Sequence, residues 1–316
     1  MSRTKEPKQK RPISSSAVVR IVIWSVVLVI LLSIFAVLIL QSVFNYGFNI
    51  TAGFSMGGYR YDDADEYNVG AGTSSQSVNE LEIDWLAGDI EILPTDENTI
   101  TIRDTYTGDN DDDRMRWRIE DGELSIKYCA PYWAFGFKKT ARKDLTVHIP
   151  RTMLESMDEV AIDSLESRVT FAGNARELSV DGVEYDLTVT GRIGELDVDA
   201  VEGKLTLYGS VDHVDMDGVE GKAFLHVDQA ARVDVDGVES EVTLYLADTV
   251  KGFRVETSGI GTRVQVDGFT DVQKNEDLTT WGDGSLRVNA DGVSVSVTIA
   301  KAPAPTSPET TLETAP

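Results

Sequence analysis

Five aspartates and five glutamates recur through the middle of this chain at a near-constant interval. They belong to the phrases IDSLE (162–166), VDGVE (180–184), VDAVE (198–202), MDGVE (216–220) and VDGVE (235–239), spaced by 18, 18, 18 and 19 residues. If equivalent residues of successive repeats lie side by side, two ladders of carboxylates result. One is Asp163, Asp181, Asp199, Asp217 and Asp236; the other is Glu166, Glu184, Glu202, Glu220 and Glu239. Rows of carboxylate oxygen suit calcium, for which Asp181, Asp199, Asp217 and Asp236 are the candidate ligands. The competing reading has each Asp capping its own corner by accepting backbone N–H bonds, with the Glu side chains in water. Capping is the favoured reading, because the nine-residue Gly-rich pattern of calcium-binding β-rolls is absent.

A second cluster lies in residues 128–143, YCAPYWAFGFKKTARK, where Tyr132, Trp133, Phe135 and Phe137 precede Lys138, Lys139, Arg142 and Lys143. Aromatic side chains there suit a sugar ring or a lipid interface, and the bases suit anionic groups. The competing reading, which is preferred, makes the segment a cap over one end of a repeat array. No catalytic constellation accompanies either cluster. The histidines at 148, 213 and 226 lack metal-ligand spacing. The G-x-S-x-G match at residues 53–57 has neither the strand before it nor the helix after it that a nucleophile elbow needs. The chain therefore reads as non-enzymatic, with no cofactor implied.

These clusters are positioned by strands. Around Val180, apolar residues fall at −2, 0, +3, +7 and +9, and the same set recurs in the neighbouring repeats. Side chains alternate across a strand, so a change of parity marks a corner. The pattern predicts breaks between 0 and +3 and again after +9. A short fixed period with such corners predicts an all-β fold, a single-stacked parallel β-helix (β-solenoid) with ~18-residue rungs. The corner Gly of 182, 218 and 237 is replaced by Ser164 and Ala200, so tight packing explains the small residue better than a left-handed backbone. Alternating strands also precede the repeats, around residues 81–92, 100–102, 119–128 and 145–149. Residues 270–285 read as a loop, and residues 286–299 as the strands that close the stack.

Formal net charge is −24, yet residues 1–20 carry six bases against one acid, which leaves −29 for the remainder. Residues 21–40 carry no charge, and twenty helical residues span about 30 Å, the thickness of a bilayer core. The pattern predicts a basic cytoplasmic tail at 1–20, a single-pass transmembrane helix at 21–44, a flexible juxtamembrane linker at 45–77, a β-domain at 78–300 and a disordered tail at 301–316. Positive charge held inside places the β-domain outside a bacterial cell membrane. Its acidity argues against nucleic acid as a partner, and its lone Cys129 cannot form an internal disulfide.

The segments VNELEIDW (78–85), GDIEI (88–92) and KDLTVHIP (143–150) resemble the start of the bacterial "putative adhesin" domain family, a family of unknown function. The Asp-Gly-Val-Glu repeats fit its continuation over about residues 78–300. The resemblance implies an envelope protein and brings no active-site residues. Two functions follow as expectations: an adhesion or envelope-binding module, and an accessory sensor in envelope-stress signalling that works through a membrane signalling partner. A carbohydrate-active β-helix enzyme is a weaker third. Ligand and oligomeric state are left open.

Overall fold

The computed structural model describes residues 66–302 except 110, 130–141 and 230. The expected tail at 1–20, the expected membrane helix at 21–44 and most of the expected linker lie outside the described residues. Among the described residues no helix is long and apolar enough to cross a membrane.

The domain is nearly all β. Its strands join in one 17-stranded sheet, accompanied by a four-residue helix, α1 (Arg151–Leu154), and a 3-10 turn at Asp111–Asp113. The repeats pair in parallel and in register. β3 (Glu80–Thr95) sets Leu81 beside Val160 and Ile90 beside Val169 of β8 (Met157–Ala172). β8 in turn sets Ile162 beside Val180 of β9 (Ala175–Val227), an offset of 18 residues. The last part of β9 pairs with β10 (Arg232–Val238) and β11 (Glu241–Leu246), Met216 beside Val235 and Ala223 beside Val242.

At both ends the spatial order departs from the chain order. β6 (Glu123–Lys127) and β7 (Leu145–Pro150) pair with β3, so β3 lies between them and β8. At the other end β12 (Gly252–Thr257) and β13 (Arg263–Asp267) come next in the chain but not in the sheet. β16 (Leu286–Val293) and β17 (Ser296–Lys301) insert between β10/β11 and β12/β13. Residues 286–299 therefore do not close the array, as the periodicity predicts; β12 and β13 lie beyond them.

Antiparallel hairpins cover the ends, where a parallel ladder otherwise exposes unpaired N–H and C=O groups. β4 (Ile100–Asp104) lies against β7, and β5 (Arg116–Glu120) against β6. Two very short strands pair with these in turn, β1 (Asn68–Val69) with β5 and β2 (Gly72–Ser74) with β4. Residues 68–74 thus belong to the sheet rather than to a linker, and the expected boundary at 78 moves back. Residues 270–285 are likewise not a loop: β14 (Gln273–Lys274) and β15 (Leu278–Gly282) form a hairpin whose second strand lies against β12. Such two- and three-residue polar strands carry too little alternation to be read. Lys301, expected to open the tail, still belongs to β17.

The core confirms four of the five apolar positions. Leu178, Val180, Leu187 and Val189, with their counterparts in the following repeats, are buried, and full burial of each such side chain is worth about 1.5–3 kcal/mol. The fifth position, +3, is corrected. Leu165, Val183, Val201 and Val238 are exposed, Val201 to 51%. Parity continues inward for one more step instead, to the small residue at +2: Ser164 and Ala200 are buried there. A Cβ on Gly182 would sit 2.8 Å from the Ser164 carbonyl oxygen, and one on Gly218 2.8 Å from that of Ala200. The inside of the corner has no room for a larger side chain, so the next residue turns outward.

The corner after +9 imposes a stricter rule. Gly191 and Gly209 have φ of 136° and 149°. A Cβ on Gly209 would lie 1.9 Å from the Gly191 carbonyl oxygen. Gly209→Ala is expected to destabilise the domain by about 2 kcal/mol or more, because the clash outweighs the stabilisation that comes from a less flexible unfolded chain. Gly221→Ala, whose new methyl meets only the Gly203 oxygen at 4.0 Å, is expected to be near neutral. Urea unfolding midpoints of the two variants check this pair.

Candidate functional site

The aromatic-basic segment is attached at the corner of β3. Tyr128 N–H donates to the Asp84 carbonyl (2.9 Å) and Lys143 N–H to that of Ala87 (3.0 Å), so both roots of the segment hang from the same corner. Trp85, fully buried, donates its indole N–H to the Lys143 carbonyl at 2.7 Å and meets the Tyr128 ring edge-on at 5.1 Å. Tyr132, Trp133, Phe135, Phe137, Lys138 and Lys139 lie outside the described residues.

Lys143 is not a surface base. It is 2% exposed; its ammonium donates to the carbonyls of Tyr128 (2.9 Å), Cys129 (2.6 Å) and Asp113, and lies 4.1 Å from the centre of the Tyr128 ring. Burial holds its pKa below the usual lysine value, against the opposing pull of Asp104. Lys143 therefore ties the two roots together, and it leaves the set of ligand-binding candidates. The alternation of β7 carries this signal: Lys143 shares parity with Leu145, Val147 and Ile149, all buried. Arg142 faces outward and pairs with Glu166 (2.6 Å) and Asp89 (3.4 Å).

An aromatic cap, with no counterpart in the local sequence pattern, covers the β12 end of the sheet. Phe269 meets Phe253 and Trp281 at 5.5 and 4.7 Å, and the Lys301 ammonium lies 5.5 Å from the Phe269 ring centre. Its residues are scattered over three strands and a loop, which hides them from any local pattern.

The aspartate ladder exists and is longer than predicted. Asp84 lies beside Asp163, Asp163 beside Asp181, Asp217 beside Asp236, and Asp236 beside Asp291. A parallel column two residues earlier adds Asp215 and Asp234, with Asp197 one repeat before them. Corner capping does not explain these acids: among the described residues only Asp291 of the ladder accepts a backbone N–H, from Gly292. Desolvation and the adjacent like charges raise the carboxyls of Asp181, Asp197 and Asp217 above their usual range, and Asp163 to about 6. Lys127 closes the ladder at one end, 2.6 Å from Asp84 and 3.0 Å from Glu82. No group of three or more His, Cys, Asp or Glu among the described residues converges as a metal site.

A further column, expected in the core, lies on the surface. Leu165, Val183, Val201, Val238 and Val293 stand exposed along the corner. Val293 lies beside Val238, and Ile260, 74% exposed, bridges to Val293. This aliphatic ridge runs between the aspartate ladder and the glutamate ladder, a surface that hydrophobicity alone turns inward.

No protein-family model matches the chain, and no curated protein matches its sequence. Three solved structures are similar to it at low identity. A "putative cell adhesion protein" from Clostridium sporogenes is 12% identical over 74% of this chain and 100% of that one, with a TM-score of 0.29. A "putative adhesin" from Bacteroides fragilis is 11% identical over 73% and 97%, with a TM-score of 0.33. A "putative lipid binding protein" from Parabacteroides distasonis is 13% identical over 74% and 98%, with a TM-score of 0.27.

Two outcomes follow. Lys143→Met leaves three carbonyls without their donor and is expected to cost about 2–4 kcal/mol in urea unfolding, whereas Arg142→Ala is expected to stay within about 0.5–1 kcal/mol. The Asp163 carboxyl is pushed up to about 6 in the fold, against its ordinary 3.8. Its stabilising contribution is therefore fully present below 3.8 and lost as pH rises through 6. Asp163→Asn is expected to raise Tm at pH 7 by roughly 2–4 °C, on the order of 1 kcal/mol once solvent screening is allowed for. The gain should shrink steadily in melts taken at lower pH.

Proposed function

We propose that this chain is a membrane-anchored, extracellular, non-enzymatic module for adhesion or cell-envelope binding, its repeats coiling as a β-solenoid. The observation that carries the proposal is the exposed aliphatic ridge of Leu165, Val183, Val201, Val238 and Val293. Surface aliphatics scattered singly need no explanation, but aliphatics exposed at the same position of several repeats, with a polar rim, mark an interaction surface. Its rim here is two columns of carboxylates. Repeat arrays bind through such extended surfaces because every repeat presents the same side chain at the same height.

The coiling is supported by the parallel offset of 18 and 19 residues between neighbouring strands and by the two kinds of glycine-bearing corner. Anchoring rests on the uncharged stretch 21–40 and the basic residues before it, which together orient the β-domain outward. The long acidic columns favour ligands that approach through apolar contact over polyanions.

Replacing Val183, Val201 and Val238 together with Ser tests the reading. Each position is exposed, so the triple variant is expected to melt within a few degrees of the parent. Binding of the full chain to cell-wall fragments, lipid vesicles or sibling cells is expected to fall at least about tenfold, which corresponds to roughly 1.4 kcal/mol. Undiminished binding by a folded triple variant would reject the ridge as the working surface.

A further inference from the structure

One surface column reverses its charge along the sheet. Glu123, Glu80, Glu159 and Glu177 lie side by side, and Glu195 continues them to His213, 3.5 Å away. His213 then lies beside Arg232, Arg232 beside Arg287, and Arg287 beside Arg254. Three guanidinium groups on adjacent strands, about 4.8 Å apart, are an unusual concentration in a domain this acidic.

Two of the three have their own counterion two residues further on. Arg232 Nε lies 2.6 Å from Asp234, and Arg254 Nε 2.6 Å from Glu256. The middle strand repeats the pattern with an amide: Arg287 is followed at that spacing by Asn289, which lies between Asp234 and Glu256 in register. Asn289 donates its amide N–H to Asp234 at 2.5 Å. Among the described residues Arg287 forms no ion pair. The rim acid Asp283 lines the same cavity, but it accepts the Ser285 N–H at 2.9 Å and its charge is met by that of Lys251. All three arginines line a cavity of about 570 Å³ with Glu256, Asn289 and Thr280, walled by the β15 hairpin.

We propose that this cavity binds a singly charged oxyanion group, a carboxylate or a phosphodiester, held by the guanidinium fork of Arg287 between those of Arg232 and Arg254. A guanidinium matches the two oxygens of such a group bidentately. One uncompensated positive charge suits one negative charge, and the surrounding aspartates repel a polyanion. The glutamate end of the same column in a second copy of the chain is the rival occupant. It is disfavoured because joining two copies along this face would bring their aspartate columns together. The site is separate from the aliphatic ridge, so either can fail without the other.

The test uses the full chain in neutral detergent, titrated calorimetrically at constant ionic strength with glucuronate and with dimethyl phosphate. At least one probe is expected to bind with a Kd on the order of 1 mM, and the one that binds identifies the anion. Arg287→Ala and Asn289→Asp are each expected to weaken binding at least about tenfold. Asn289→Asp does so by giving Arg287 the counterion its neighbours have. Asn289→Ala leaves Arg287 free and should keep binding within about threefold. Melting curves establish that each variant is folded. The proposal is overturned if neither probe binds, if Arg287→Ala binds as the parent does, or if Asn289→Ala loses binding as fully as Asn289→Asp. A dimer that Arg287→Ala separates, with no heat from either probe, also overturns it and assigns the arginines to a second copy.

Discussion

A parallel sheet with a constant sequence offset places every residue beside its own counterpart, about 4.8 Å away. Almost everything in this domain follows from that constraint. For aliphatic residues the rule is favourable: Leu178, Leu196 and Val214 repeat one shape on one side of the chain, all fully buried. For glycine it is exacting, because a methyl group at Gly209 would enter the carbonyl of Gly191. Aromatic residues obey it by stacking, as Tyr208, His226 and Tyr245 do at 5.0 and 5.1 Å. Carboxylates cannot benefit from it at all. Each neighbouring pair costs about 1 kcal/mol or less in water and more where solvent is excluded; at Asp163 burial, reinforced by Asp84 and Asp181 on either side, raises the carboxyl to about 6.

The chain relieves that repulsion locally rather than by breaking the repeat. Lys127 occupies the ladder position next to Asp84, and its pairing with Asp84 and Glu82 outweighs burial and raises its own pKa. Further along, Asp234 is pushed upward by burial, but hydrogen bonds from Asn289, His213 and Arg232 outweigh this and bring it below the usual range. Among the described residues the acids between these two ends form no ion pair.

Much of this architecture is legible in the sequence, and the errors share a physical cause. Alternation identifies the strands, and the five-residue phrase identifies register, because both depend on near neighbours. The inward assignment of Val183 and its counterparts failed because hydrophobicity was taken as burial, whereas the room inside the corner was already filled by the carbonyl of the preceding repeat. Lys143 was misplaced for the converse reason: charge was taken as exposure, although its parity with Leu145 puts it inside. The sandwiching of β3 between β6/β7 and β8, and the Phe253–Phe269–Trp281 cap, depend on partners far away in the chain and leave no periodic trace. The three arginines are hidden in the same way, since β16 joins β10 to β12 only after the chain has passed both.

That insertion also sets the order in which the protein can be made. Residues 157–246 add each strand to one already present, so the sheet can grow as the chain leaves the ribosome. β12 and β13 emerge before β16 and β17, yet their parallel neighbours are those later strands. Until residue 301 is synthesised, β10 and β11 keep an open edge, and β12 and β13 lack their parallel neighbours. The array is therefore completed by its last strands acting as a wedge, and the time spent waiting for them is when the nascent domain is most exposed to mispairing.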